Sequence, residues 1–462
     1  MSADAVTFRH DEPGTGEENW LACPEWGDLP QLDLSAHDAL VVVAAHPDDE
    51  TLGAGGLLRL AAASGLAVTV VLLSNGEASH PNSPTWTPEA LAVQREAETR
   101  AAVGMLAADA RLVTCGLPDG HLAEHLDAIV AAVVDAIGAA GAATLVAAPW
   151  RGDGHPDHEA AGRAAGIAAQ RTDARAVEYP IWLWHWGTRE ATPWADALVL
   201  PLDTMTHRSK SQALAVHRTQ LAPLSDQPGD EQLLSPGFVS HFLRHHETFL
   251  EPAAEPDAAL DLLHRDEADP WRTETDWYEE RKRAVTLAAL PRRRFTRALE
   301  VGCSVGTLAA DLAPRCETLI AIDASAAAVG HARARLGHLP HVKVRRADAV
   351  TDHPEGPFDL VVVSEVGYFL SPDRLRELCR LVTAGLTDDG AVVLCHWRHE
   401  IVGWPLDGSA VHDLWRASTD LSVLVEHVEP DFLLTVLTRA TPTDTARTLG
   451  TAAATDPEGS RS

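Results

Sequence analysis

Apolar residues settle into a regular rhythm at Ala39. Short uninterrupted runs occur at 39–45, 67–73, 110–115, 143–148 and 174–179. Between them, at 52–64, 88–106, 122–140 and 157–171, apolar positions recur every three or four residues. Runs of that length read as buried strands and the intervening periodicity as helices. Strands alternating with helices predict a parallel sheet wound on both faces. A second series begins with strands at 297–301, 319–323, 342–346, 358–363 and 391–395, and 421–428 and 431–438 read as a closing antiparallel strand pair. The stretch 128–148 is apolar enough to mimic a membrane span, but Asp135 and two glycines split it into helix, turn and strand.

The expected fold class is therefore α/β, with two doubly wound, Rossmann-like parallel-sheet domains. The expected divisions are an acidic, poorly ordered extension at 1–37, a first domain at 38–252, a Pro- and Asp-rich linker at 253–268, a second domain at 269–440 and a disordered tail at 441–462. A tryptophan-rich stretch (Trp182, Trp184, Trp186, Trp194) reads either as a strand with indoles on one face or as a surface for stacking on sugar rings.

Charge narrows the partners. The net charge is −30, with eight acids against Arg9 in the first 37 residues and 25 acids against 13 bases over 38–250. Such a surface repels polyanions, so nucleic acid and anionic membrane are excluded in favour of a small-molecule substrate. The six cysteines are scattered with no C-x-x-C pair, which is neither a disulfide framework nor a zinc-finger spacing, and a reducing cytoplasm is expected. No secretory leader is evident near Arg9. Nothing in the sequence bears on oligomeric state.

The polar clusters fall on the loops after the strands. One reads His46-Pro47-Asp48-Asp49-Glu50, another Pro118-Asp119-Gly120-His121, and a third Trp150 to His158, ending His155-Pro156-Asp157-His158. Loops at strand carboxyl ends open onto the crevice where ligands bind. Acids at a helix start are ordinary N-terminal residues. Two imidazoles and a carboxylate from separate loops suit instead a metal with open positions, Zn2+ or Fe2+. A spare carboxylate, Asp48 or Asp157, would take a proton, and the spare His155 would protonate a leaving amine or steady an oxyanion. His207 and His217 read as surface or pocket-wall residues.

These loops, with Gly53-Ala54-Gly55-Gly56, Asn75-Gly76-Glu77, Arg95-x-x-Glu98 and Leu117-Pro118-Asp119-Gly120, resemble the PIG-L/LmbE-like N-deacetylases over residues 38–250. The resemblance implies His46, Asp49 and His158 as metal ligands, Asp48 as general base, and His155 facing the tetrahedral intermediate, with Asp157 tuning its neighbours. It places Arg95 and Asp119 on substrate hydroxyls.

In the second half, the strand 297–301 runs into Gly302-Cys303-Ser304-Val305-Gly306. G-x-S-x-G permits a nucleophile elbow with Ser304. However, Asp323 ends the next strand 21 residues past Gly302, the spacing of a carboxylate on a ribose diol. The series resembles class I S-adenosylmethionine-dependent methyltransferases, and the segment from Asp269 through Trp277-Tyr278-Glu279 to Arg292 resembles the nodulation-type N-methyltransferases of amino sugars. That likeness implies Glu300, Gly302, Ser304 and Gly306 around the methionine part, Asp323 on the ribose and Asp348 beside the adenine. Glu365, at the edge of the cofactor set, and Tyr368 would face the methyl acceptor. His396 to His399 follow the fifth strand and are further candidates for it. Together the halves are expected to form a bifunctional enzyme, unmasking an N-acetylated amino sugar and methylating a small acceptor. The open alternatives are one active site beside a binding module, or a deacylase of a non-sugar amide paired with an O-methyltransferase.

Overall fold

The computed structural model describes residues 12–253 and 257–439. The chain divides into two compact units, Met1–Pro256 and Asp257–Ser462. In the first, the sheet order is β3-β2-β1-β4-β5-β7-β6, with β1 (Ala39–Ala44), β2 (Ala67–Leu72), β3 (Arg111–Thr114), β4 (Thr144–Pro149), β5 (Arg175–Tyr179), β6 (Ala197–Pro201) and β7 (His246–Leu250). The pairs among β1 to β5 are parallel, whereas β7 runs antiparallel to both β5 and β6. β1 and β4 read as continuous apolar runs because helices cover both of their faces. Helix Pro156–Thr172 closes on the sheet through Ala160, Ala161, Ala164, Ala165, Ala168 and Ala169, small residues at helical spacing that allow a close approach.

The second unit repeats this order. Its sheet runs β10-β9-β8-β11-β12-β14-β13, from β8 (Phe295–Val301), β9 (Cys316–Asp323), β10 (Val342–Arg346), β11 (Phe358–Ser364), β12 (Leu386–Trp397), β13 (Ser422–Val428) and β14 (Phe432–Thr438). β14 is antiparallel to β12 and β13, the expected closing pair. In both sheets the strand order reverses beside the first strand, between β1 and β4 and between β8 and β11.

Four expectations need correction. Residues 12–37 pack on the first unit: helix Glu17–Leu21 buries Trp20, whose indole N–H donates to Trp184 O at 2.8 Å, and Gln31 bridges to Val199. The Trp20 ring, with Cys23 and Leu32 buried in the same core, anchors an otherwise polar segment; residues 1–11 lie outside the described set. Half of the expected linker is the helix Ala259–Asp266, docked where Asp261 accepts hydrogen bonds from Ser325 Oγ and the Ala326 amide, both at 2.8 Å, at the start of helix Ala326–Leu336. Residues 254–256 and the tail at 441–462 are outside the described residues. The tryptophan-rich stretch forms the short helix Leu183–Trp186, with Trp184 packed edge-on against Trp20 and Trp182 stacked on Phe238. The predicted helix 122–140 is helical over Leu126–Ile137 and tightens to 3-10 turns on either side. This stretch, Leu122–Ala143, is long and apolar enough to cross a membrane, but Ile129, Val130, Val133, Val134 and Ile137 are buried in the core against β1 and β2.

Candidate functional sites

The first site lies where β1 and β4 part. The chain leaves β1 through Ala45, and His46 turns it so that Asp48 adopts φ 118°, a region L-residues rarely enter, before helix Asp49–Ala63 begins. The Asp49 carboxylate accepts the His46 amide at 2.9 Å. From the loop after β4, helix Pro156–Thr172 presents His158 on its first turn, with proline at the helix start and His155 as its N-cap. His46, Asp49 and His158 offer ligand atoms within 4.8 Å of one another. Nε2 of His158 lies 3.3 Å from Nδ1 of His46 and 3.4 Å from Asp49 Oδ1.

The far side of each imidazole fixes which nitrogen is free. His158 Nδ1 is 2.7 Å from Asp153 Oδ2, and His46 Nε2 is 3.1 Å from both Asp157 Oδ2 and Asp119 Oδ1. A carboxylate behind each ring holds its tautomer and turns the other nitrogen to the shared point, the arrangement that supports metal-binding histidines. Asp153 is itself held by the amides of Ile181, Trp182 and Leu183. Asp157 accepts the Gly120 and Leu122 amides at 2.7 and 3.0 Å, which fixes it as a support for His46. His155 and Asp157 can also be grouped with His46, but there Asp157 lies on His46 Nε2, the nitrogen turned away from His158. Asp119 is braced by the Ala78 amide.

Charge separates the two adjacent aspartates. Burial, partly opposed by the Arg95 guanidinium, pushes the Asp48 carboxyl up to about 7. Burial also acts to raise Asp49, but His158 and His46 outweigh it and leave that carboxyl below its ordinary value. Burial would lower His46, yet Asp119, Asp157 and Asp49 hold it well above the usual imidazole range. His155, buried and beside His158 and His46, is pushed down to about 3. Its Nδ1 accepts the Asp157 amide at 3.2 Å, so a neutral ring carries its proton on Nε2.

Arg95 is not at the mouth of this site. It is 4% exposed beneath the loop, donating to Gly76 O and Pro47 O at 2.7 and 2.8 Å and lying 3.7 Å from Asp48. The expected contact with substrate hydroxyls gives way to support of the Pro47–Asp48 turn. Glu50 and His217 form a further buried layer: Glu50 Oε2 accepts the Asp48 amide at 3.1 Å, and His217 Nε2 lies 3.3 Å from Glu50 Oε1. His217 is therefore neither on the surface nor in a pocket wall. Asp153 was available to sequence reading, as an acid five residues before His158 on the same loop.

The second site lies at the matching place, where β8 and β11 part. Gly302 has φ 74°, and a Cβ there would come within 2.7 Å of the Val366 side chain, so the turn closes only around glycine. Ser304 has φ 47° and donates its amide to Asp323 Oδ2 at 2.8 Å, while Ser325 N donates to Asp323 Oδ1 at 2.9 Å. Gly306, at φ 79°, starts helix Thr307–Leu312. Ser304 Oγ and Glu300 Oε2 are buried without a hydrogen-bond partner. Burial, reinforced by Asp323, holds the Glu300 carboxyl well above its usual value. Asp348, after β10, accepts the Val350 and Thr351 amides at 2.9 Å and pairs with Arg374 at 2.6 Å.

Glu365, after β11, also has positive φ, 56°. It accepts the Trp397 amide at 3.0 Å and the Tyr368 hydroxyl, and pairs with Lys282 Nζ at 2.7 Å. Tyr368 is 4% exposed, so it faces Glu365 more than the crevice. His396 is fully buried, accepting the Gly367 amide and bonded to His412, which reaches Thr435. It is structural rather than an acceptor contact.

Two α/β units, each with a polar cluster at its topological switch point, define a two-centre protein with one centre of metal-ligand character and one glycine-rich crevice. Comparison with known proteins agrees with that division. The family described as GlcNAc-PI de-N-acetylase (PIG-L) matches residues 41–169, and that described as nodulation protein S (NodS) matches residues 255–418. Nodulation protein S of Sinorhizobium fredii is 38% identical over 112 residues, 24% of this chain and 52% of the relative. That of Bradyrhizobium diazoefficiens is 38% identical over 144 residues, 30% of this chain and 69% of the relative. The chain thus spans about half the length of the first relative and just over two-thirds of the second. The crystal structure of N-methyltransferase NodS from Bradyrhizobium japonicum in complex with S-adenosyl-L-homocysteine is 25% identical, covering 39% of this chain and 98% of that one with a TM-score of 0.36. The chain belongs, through its second half, to the nodulation protein S family and carries a PIG-L domain in its first half.

Proposed function

We propose that this chain is a bifunctional enzyme. Its first unit hydrolyses an N-acetyl group from an amino-sugar-type substrate with a divalent metal, and its second transfers a methyl group from S-adenosylmethionine to a small acceptor, the freed amine being the acceptor we favour. The observation that carries the reading is the convergence of His46 Nδ1, Asp49 and His158 Nε2, with a carboxylate behind each imidazole.

This donor set fits Zn2+, and fits Fe2+ as well. When bound, the ion supplies Lewis acidity at the scissile carbonyl and eases ionisation of water at neutral pH. Asp48, its carboxyl near 7, receives the proton of the attacking water. His155 donates from Nε2 toward the developing oxyanion. Asp157, Asp119 and Asp153 keep the two ligand rings in place, and Arg95 keeps the Asp48 turn closed.

In the second unit the unpartnered Glu300 and Ser304 oxygens and the Gly302 turn fit S-adenosylmethionine, because a buried polar atom without a partner is costly unless a ligand satisfies it. That cofactor supplies the electrophilic methyl group. Gly302, Ser304 and Gly306 give it backbone room, Asp323 takes the ribose, Asp348 lies on the adenine side, and Glu365 orients the acceptor with Tyr368 and Lys282 behind it. Methyl transfer to an amine rests mainly on such positioning. Six free cysteines suit a reducing compartment, and the cytoplasm is our placement.

The test is metal analysis and S-adenosylhomocysteine binding on wild type, Asp49→Ala and Asp323→Ala, with mass spectrometry of products from N-acetylglucosaminides with and without S-adenosylmethionine. We expect loss of metal only in Asp49→Ala and loss of nucleoside binding only in Asp323→Ala. A wild-type protein that binds neither would overturn the reading.

A further inference from the structure

Helix Asp49–Ala63, which carries Asp49, is broken. Ala54 has φ −134° and ψ 18°, outside helical geometry, so the hydrogen-bond ladder is interrupted one turn after the metal-site residues. A buried ion pair from beyond the matched PIG-L region fills the gap. Glu247, on β7, accepts the Gly56 and Leu57 amides at 2.6 and 2.8 Å. Lys210, on helix Thr204–Leu214, donates to Leu52 O at 2.7 Å and to Glu247 at 2.6 Å. Both side chains are 2% exposed. The carboxylate thus caps a new helix start and the ammonium caps the end of the short turn before it, each with the sign that the helix termini favour. Glycines make the room. A Cβ at Gly55 would lie 3.2 Å from Lys210 Cγ, and one at Gly56 would meet Leu202 at 2.4 Å and Glu247 at 3.0 Å. Gly53 clears the ring of Tyr179 in the same way, so each glycine of the motif admits a particular side chain.

We infer that Lys210 and Glu247 are positioning residues for the metal centre: by replacing the hydrogen bonds lost at Ala54, the pair sets the angle of the turn that presents Asp49 and its neighbour Asp48. The inference rests on the metal-site reading. It is tested by zinc titration against a chromophoric chelator, with melting temperature measured in parallel, on wild type, Lys210→Met, Glu247→Gln, Gly55→Ala and the charge-swapped Lys210→Glu/Glu247→Lys double variant. Val177→Ala, a core truncation on β5, serves as the stability control. Lys210→Met and Glu247→Gln should bind zinc about 10- to 100-fold more weakly, the range for residues that orient ligands. Gly55→Ala, which keeps both charges and only crowds the Lys210 stem, should show a smaller loss and guards against variants that fail to fold. The double swap restores neutrality but offers each helix end the wrong sign, so it should not recover affinity. Wild-type affinity in the folded single variants, recovery in the swap, or an equal loss in Val177→Ala would overturn the inference. Failure of wild type to bind zinc would instead overturn the metal reading itself.

Discussion

Asp48 and Asp49 are adjacent in sequence and opposite in behaviour. Asp49 faces two imidazoles and stays ionised, whereas Asp48 is buried against Arg95 with its carboxyl near 7. A neighbouring pair whose environments pull them apart can divide ligand and base roles between them. Asp48→Asn keeps the size and tolerates positive φ better than most residues. It should therefore retain bound metal while deacetylation falls about 10²- to 10⁴-fold, the worth of a positioned general base. Metal content and turnover on the same sample decide it, and coincident loss of metal would make Asp48 a ligand instead. The residues that converge at the first site were legible in HPDDE and HPDH because they sit within a few residues of one another on strand-end loops. The true place of Arg95 was not legible, since its contacts with Gly76 and Pro47 depend on how three separate loops fold over one another.

Among the elements, the sheet strands were readable to within a few residues at most boundaries because strands buried on both faces are continuous apolar runs. β6 and β7 were not. They are five residues each: β6, ALVLP, is a short apolar run ending in proline, β7, HETFL, mixes polar with apolar residues, and the two pair with one another at the end of the sheet. The N-terminal extension was misread for a similar reason. Its anchors are Trp20 and Glu17, and the partners of Glu17 lie more than 220 residues away. Burial acts to raise the Glu17 carboxyl, but Arg244, through two 2.7 Å hydrogen bonds, and His241 outweigh it and leave it below its ordinary value. A lowered carboxyl contributes stability that is fully present above its unfolded value and disappears as pH falls through its folded value. Wild type should therefore melt above Glu17→Gln at pH 7, and the gap should close as pH falls below about 4.5. Equal melting at pH 7 would mean that Glu17 adds nothing to the hold that Trp20, Leu32 and the Gln31 bridge give the extension.

At the scale of the whole molecule, one strand order occurs twice, and the same reversal point carries a cluster of imidazoles and carboxylates in one unit and a glycine-rich turn in the other. Topology therefore located both sites without indicating what either does; the side chains on the loops distinguish them. This also explains why the two halves looked alike as patterns of strands and helices yet resembled different families. The Lys210–Glu247 pair lay beyond such pattern reading, because a lysine and a glutamate 37 residues apart carry no signal until a broken helix needs both.

Among the described residues five non-glycine positions have positive φ, and three of them, Asp48, Ser304 and Glu365, stand in the two candidate centres. Left-handed backbone costs an L-residue on the order of 1–2 kcal/mol that glycine avoids. Ser304→Gly should thus raise the melting temperature of its unit by a few degrees while weakening S-adenosylhomocysteine binding, and scanning calorimetry with a binding titration would show both or refute the trade. An engineering campaign that selected this protein for heat resistance alone would drift toward glycine at these three positions. Its hardiest survivors would be the ones from which the chemistry had been erased.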